Sequence, residues 1–307
     1  MKKRIIVLAV LILIGIIQAK ETSFQRSLVR VLQDFTAETL YIEAPLCVLN
    51  IGPSDDDNIE LKFIYFCDAG EIAQSRKVVS SMKSEIQQSE SRIDVLVNQS
   101  LEMIKDIQFE PFSRFEAKNY KWNNREYKIS PKTGTKIKCE MQIKMPSNMV
   151  FKYSGIGLSA AIEDIGDINI SSEFAKVELT KTNGYQSLVL DRGEVSLDRV
   201  EGDFLCVGGN IRIEGDILQA SDIKIAIEAG NIDLYLEKEF GKIDIVNVND
   251  NTKIETKQNF HKVTLFSEDG KVNYKEKKAN SNQFLYKDEN GTGTISVYTE
   301  RGNIDIR

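Results

Sequence analysis

Gly230-Asn-Ile-Asp-Leu234 and Gly241-Lys-Ile-Asp-Ile245 are two copies of a five-residue unit that occurs eight times in the second half of this chain. The other copies begin at Gly166, Gly193, Gly209, Gly270, Gly293 and Gly302. In each copy the second and fourth positions are polar, while the third and fifth are large and mostly β-branched. Such alternation marks a strand with one buried face. A glycine at a constant offset predicts a corner at positive φ. Further alternating runs at 176–180, 222–227 and 262–265 lie between the copies. Strands thus recur about every 8 to 12 residues, the rhythm of an all-β architecture.

Two architectures suit short strands at this spacing, an antiparallel sandwich and a stack of coils. Hairpins favour tight Asn-Gly turns, and only Asn183-Gly184 and Asn290-Gly291 supply them. The self-similar unit therefore predicts a parallel, β-helix-like solenoid over 147–307, each coil burying its apolar edge on the next. Composition sets the boundary. All five prolines fall at or before Pro146, and 15 of the 19 glycines lie beyond it.

Residues 20–146 read as a β/α part. Phe24, Leu28, Val31, Leu32 and Phe35 have helical spacing, and 40–67 reads as two strands around the Pro53-Ser-Asp-Asp-Asp57 turn. Three adjacent aspartates suit a turn better than a calcium loop, whose ligands alternate. Residues 71–109 contain neither Gly nor Pro. A heptad stripe runs through them, with Ile72, Val79, Ile86, Ile93, Ser100 and Ile107 on one position and Ser75, Met82, Ser89, Leu96 and Met103 on the other, the three serines weakening the seam. This predicts a long helix, inserted as one segment or as two broken near Ser89. The helix either packs on the chain's own strands or self-associates. Val79, Met82, Ile86, Ile93, Leu96 and Met103 are the candidate self-association residues.

Several segments resemble the bacterial "putative adhesin" β-strand-repeat family of exported proteins. They are Met141-Gln-Ile-Lys-Met-Pro-Ser-Asn-Met149, the Gly230 unit, the closing run from Gly293 to Ile306, and Leu40-Tyr-Ile-Glu-Ala followed by Val48-Leu-Asn-Ile. The resemblance covers about 35–68 and 140–307. It implies an extracytoplasmic repeat fold with no assigned catalytic residues.

The N-terminus reads as an export signal. Met1-Lys-Lys-Arg4 is positive, residues 5–17 are apolar or Gly, and Ala19 precedes Lys20. That is the layout of a cleaved signal peptide over 1–19, cut between Ala19 and Lys20. The apolar run is shorter than the ~20 residues a spanning helix needs, so membrane contact is expected only through this segment if it stays uncleaved. Cleavage would change 40 Lys+Arg against 46 Asp+Glu to 37 against 46, deepening the net charge from −6 to −9.

Such a chain is not a nucleic-acid binder, which needs clustered Lys and Arg. One histidine, His261, and four cysteines without a CxxC pair (Cys47, Cys67, Cys139, Cys206) speak against metal and redox sites. The cysteines read as free and buried. No nucleophile elbow, phosphate loop or zinc helix is present in the sequence. No cofactor, metal or catalytic residue is expected.

The reading is a non-enzymatic exported protein with an adhesin-like structural, surface-interaction or envelope-signalling role. Its partner would be an envelope or surface protein, or a second copy. The alternative is a carbohydrate-active solenoid, working from the outward positions Asn169, Ser196, Arg212, Asp233, Asp244, Asn273, Ser296 and Asp305. There Asp233 and Asp244 would pair across coils as a glycosidase-like dyad.

Overall fold

The computed structural model describes residues 22–98, 104, 106–109, 118–122, 125–275, 277–278 and 282–307. The signal segment 1–19 with Ala19 and Lys20, and Met103 of the heptad stripe, lie outside the described residues. The chain divides into two compact units, Met1–Ala161 and Ile162–Arg307. Both are mainly β.

In the first unit the central strand is Thr135–Met145. It runs parallel to Leu46–Pro53 on one edge and antiparallel to Ile59–Asp68 on the other. Ile59–Asp68 pairs antiparallel with Ser23–Leu32 along ten residues. The helix read over 24–35 is therefore replaced by a strand that ends at Leu32. Phe24, Leu28 and Leu32 are spaced by four, an even number that satisfies a period of two as well as the helical period. Ten ladder partners then decide between the two. Thr39–Glu43 lies between the parallel strands Val150–Glu163 and Arg92–Asn98.

The long helix does not form. The one helix among the described residues is Ile72–Ser81. Its buried side is Ser75, Val78 and Val79. Ser75 Oγ donates to Thr22 O and accepts the Ala69 N–H, which anchors the helix at its start. Lys83–Gln88 and Arg92–Asn98 follow as an antiparallel hairpin. Ser89 closes its turn, Oγ accepting the Arg92 N–H at 3.1 Å while its own N–H donates to Arg92 O at 2.8 Å. The heptad spacing of Ile86 and Ile93 spans this turn and reports no helical face. Ile93, Val95 and Val97 are buried in strict alternation. Three β-branched residues at period two were the local signal that the heptad reading overrode.

In the second unit neighbouring strands run parallel from Ile168 to Thr256. Ile168–Thr180 pairs with Gln186–Glu201, which pairs with Phe204–Ala229. That long, cornered strand pairs with Ile232–Leu236 and Phe240–Asn247. Ile232 and Leu234 are buried and Asp233 is exposed, so the repeat does report strand parity.

It does not report direction or order, and the expected parallel solenoid is overturned. The sheet is a mixed one. Lys262–Ser267 is antiparallel to Gln283–Lys287, and Val272–Tyr274 is antiparallel to Lys277–Lys278. The last strands, Thr294–Thr299 and Ile304–Ile306, turn back to lie beside Phe240–Asn247 and Thr252–Thr256. An alternating pentapeptide fits either strand direction, so it cannot distinguish a strand that returns from one that moves on.

The repeat glycines also serve differently from the expected corner. Among the units, φ is positive at Gly230 (117°) and Gly293 (65°). At Gly193, Gly209, Gly241, Gly270 and Gly302 no such φ occurs. There a Cβ would stand 1.8 to 2.6 Å from a carbonyl oxygen of a neighbouring segment. Close backbone approach, more than turn geometry, selects glycine at these positions.

Candidate interaction surface

The second unit presents two kinds of outward ladder. One is polar throughout. It passes through Glu178, Ser196, Glu214, Asp233, Lys253, Asp305 and Asn273 on successive strands. Lys253 Nζ sits 3.3 Å from Asp233 Oδ1 and 2.8 Å from Glu255 Oε1. These bonds raise the Lys253 pKa, the Glu255 bond most. Arg212 pairs with Glu214 and Lys176 with Glu178 along their own strands. This is a solvated ion-pair face, and such exposed pairs add little to stability.

The other kind carries an apolar row in two runs. Ser171 stands beside Val189, and Val189 beside Val207. Ala226 stands beside Val246, Val246 beside Tyr298, and Tyr298 beside Phe266. Val189, Val207 and Val246 are 49%, 37% and 41% exposed. Phe266 and Tyr298 stack at 5.7 Å with 15° between their planes. Tyr298 Oη donates to Glu268 Oε1 at 2.7 Å, and this bond to a carboxylate pushes the phenol up to about 12. Apolar side chains at outward parity cannot lower their exposure within this fold, so contact with another surface would. The sequence carried the signal as breaks in alternation. Leu188-Val189-Leu190 and Ile245-Val246 put an apolar residue where the pattern demands a polar one.

Val79, Met82 and Ile93 are fully buried inside the first unit, while Ile86 and Leu96 are half-buried on the two strands of the hairpin. Asp233 and Asp244 do not meet. Asp233 lies between Glu214 and Lys253, whereas Asp244 lies between Lys224 and Ser296 on the other ladder. The expected dyad is not assembled. Arg212 stands beside Glu194, and Asn169 beside Ser187. His261 is half-buried, its Nδ1 2.9 Å from Asp288 O. Asp56 anchors the aspartate turn, accepting from Ser54 Oγ at 2.9 Å and from the Asn58 N–H at 3.0 Å. These bonds hold its carboxyl below the ordinary value, the Ser54 bond most. All four cysteines are buried free thiols. Among the described residues no three metal-ligating side chains gather into a cluster, and no helix is long and apolar enough to cross a membrane.

No known family model matches this chain. No curated protein matches it either. Among solved structures it is similar to a "putative cell adhesion protein" from Clostridium sporogenes, at 12% identity and a TM-score of 0.30, covering 92% of this chain and 99% of that one. A "putative adhesin" from Parabacteroides distasonis gives 13%, 0.37, 92% and 97%. A "putative lipid binding protein" from the same organism gives 10%, 0.38, 92% and 96%.

Proposed function

We propose that this chain is an extracytoplasmic, non-enzymatic protein with an adhesin-like or envelope role, working through protein contacts on the apolar row. The observation that carries the reading is a pair of apolar runs at outward positions, Val189 beside Val207 and Val246 beside Tyr298 and Phe266, in a unit whose other outward ladder is ion-paired. An exposed apolar line rimmed by polar residues is the kind of surface that partners cover. The signal-like N-terminus supports the location, and an exported form would begin at Lys20.

The test compares the wild-type chain with a Val189→Lys/Val207→Lys variant in capture from envelope extract. Both positions face outward, so the fold should persist with its melting temperature little changed. The wild type should retain a defined partner that the variant loses. Equal capture by both proteins would overturn the role of the row.

A further inference from the structure

From Ile168 to Thr256 in the second unit, each parallel strand lies beside one that follows 18 to 20 residues later. Ile168 stands beside Gln186, Gln186 beside Phe204, Ala220 beside Phe240, and Ile232 beside Thr252. The same step of 20 from Lys242 arrives at Lys262, and from Thr252 at Val272. Those neighbours are not adjacent in the structure. Thr294–Thr299 lies between Phe240–Asn247 and Lys262–Ser267. Ile304–Ile306 lies between Thr252–Thr256 and Val272–Tyr274. The final strands thus occupy a slot between two strand pairs that already match each other.

The match is residue by residue. Ile243, Ile295 and Val263 share one ladder position, and Ile245, Val297 and Leu265 the next but one. Thr252, Ile304 and Val272 do the same on the other strand pair. With the final strands withdrawn, Ile243 can face Val263 and Ile245 can face Leu265 at the step used elsewhere in the sheet. The corner is already close. Gln258 bonds both backbone groups of Phe240 directly, and also Thr292 O. A withdrawn segment would expose unpaired backbone along both its edges. A slot between two parallel strand pairs of the same pattern satisfies both edges, and a second copy carries that slot.

We propose that residues 293–307 form an exchangeable strand pair, and that the slot accepts the same segment from a second copy of the chain. The hinge is the 288–293 connection, which contains Asn290-Gly291. The segment regains in the second copy every contact it left in the first. Association entropy alone then opposes exchange, and protein concentration drives it. The assignment is independent of the apolar row, and the Val189→Lys/Val207→Lys variant should exchange as the wild type does.

The test uses full-length chains with cysteines at Asp244 and Ser296, which are outward-facing ladder neighbours. The four native thiols are buried and stay out of the reaction. An Asp244→Cys/Ser296→Cys chain treated with a short bismaleimide should cross-link within itself. An Asp244→Cys chain incubated with a mass-tagged Ser296→Cys chain should yield a cross-linked heterodimer. Its yield should rise with protein concentration and incubation time above that of a freshly mixed sample. Intramolecular cross-linking in the double variant with no heterodimer at any concentration would overturn the exchange. Failure of the double variant to cross-link would remove the inserted arrangement itself.

Discussion

Gln258 holds both backbone groups of Phe240. Its Oε1 accepts the Phe240 N–H at 2.8 Å, and its Nε2 donates to Phe240 O at 2.9 Å. The Gln258 side chain is buried at 8% exposure and Phe240 at 3%, so water cannot replace these bonds cheaply. Gln258→Leu keeps a similar volume and removes both partners. It should cost about 3 kcal/mol, since each buried polar group left unpaired costs about 1 to 3. A urea titration would read this as a lower midpoint at unchanged slope. A midpoint equal to wild type would show that the pair contributes nothing.

The parity of Ile232–Leu236 gives a sharp contrast between adjacent residues. Ile232 is 1% exposed and Asp233 is open to solvent. Ile232→Asp buries an unpaired charge and should cost several kcal/mol. Asp233→Ala should stay within about 0.5 kcal/mol, as at an ordinary surface site. Thermal melts of the two variants decide the matter, and equal melting temperatures would contradict the register.

Gly230 combines φ of 117° with a Cβ site 1.9 Å from Ile211 O. Gly230→Ala is strained on both counts and should cost more than about 2 kcal/mol. Gly52 is the control, since nothing lies within 4 Å of its Cβ site and its φ is not positive. Gly52→Ala should be nearly neutral. Comparable losses at both sites would refute the distinction.

The buried thiols predict a response to alkali. Burial pushes Cys206 from its ordinary 9.0 up to about 12, and Cys67 up to about 11. A raised folded-state pKa means that the folded chain holds its proton more tightly than the unfolded chain does. The resulting stability is fully present below pH about 9 and is lost as pH rises towards 11 to 12. Denaturant midpoints should therefore be insensitive to these groups at pH 7 to 8 and fall above pH 9. At pH 8 a thiol-reactive dye should label no cysteine until denaturant is added. Rapid labelling of native protein would contradict their burial.

In the glycine-repeat half, strand existence and facing are legible in the sequence, and strand neighbours are not. Ile232 and Leu234 were placed inside and Asp233 outside by alternation alone, because pleat geometry is a local property. The position of residues 294–306 between earlier strands depends on matching surfaces 32 to 52 residues apart, as in the pairing of Thr294 with Lys262 and Lys242. No local pattern encodes that. The 71–109 stretch failed for a related reason. A spacing of seven between Ile86 and Ile93 mimics one helical period, while the turn at Ser89 puts the two residues on separate strands. The apolar row was visible at Val189 and Val246 as departures from alternation. Its continuity required the ladder, because only register brings Val246, Tyr298 and Phe266 into line.

The pairing of Thr39 with Val150 in the first unit has a kinetic consequence. That contact closes a loop of 111 residues, whereas Ile168 reaches Gln186 across 18. By the logarithmic law the longer closure costs about 1.6 kcal/mol more in chain entropy. Contacts of short separation form sooner. The strands between Ile168 and Ile217 can therefore condense while Thr39–Glu43 still waits for its partner. During synthesis Thr39–Glu43 also leaves the ribosome more than a hundred residues before Val150. Over that interval the apolar residues Leu40 and Ile42 have no native parallel neighbour at 150–154. The earliest strands made are thus among those most in need of protection from aggregation before the chain is complete.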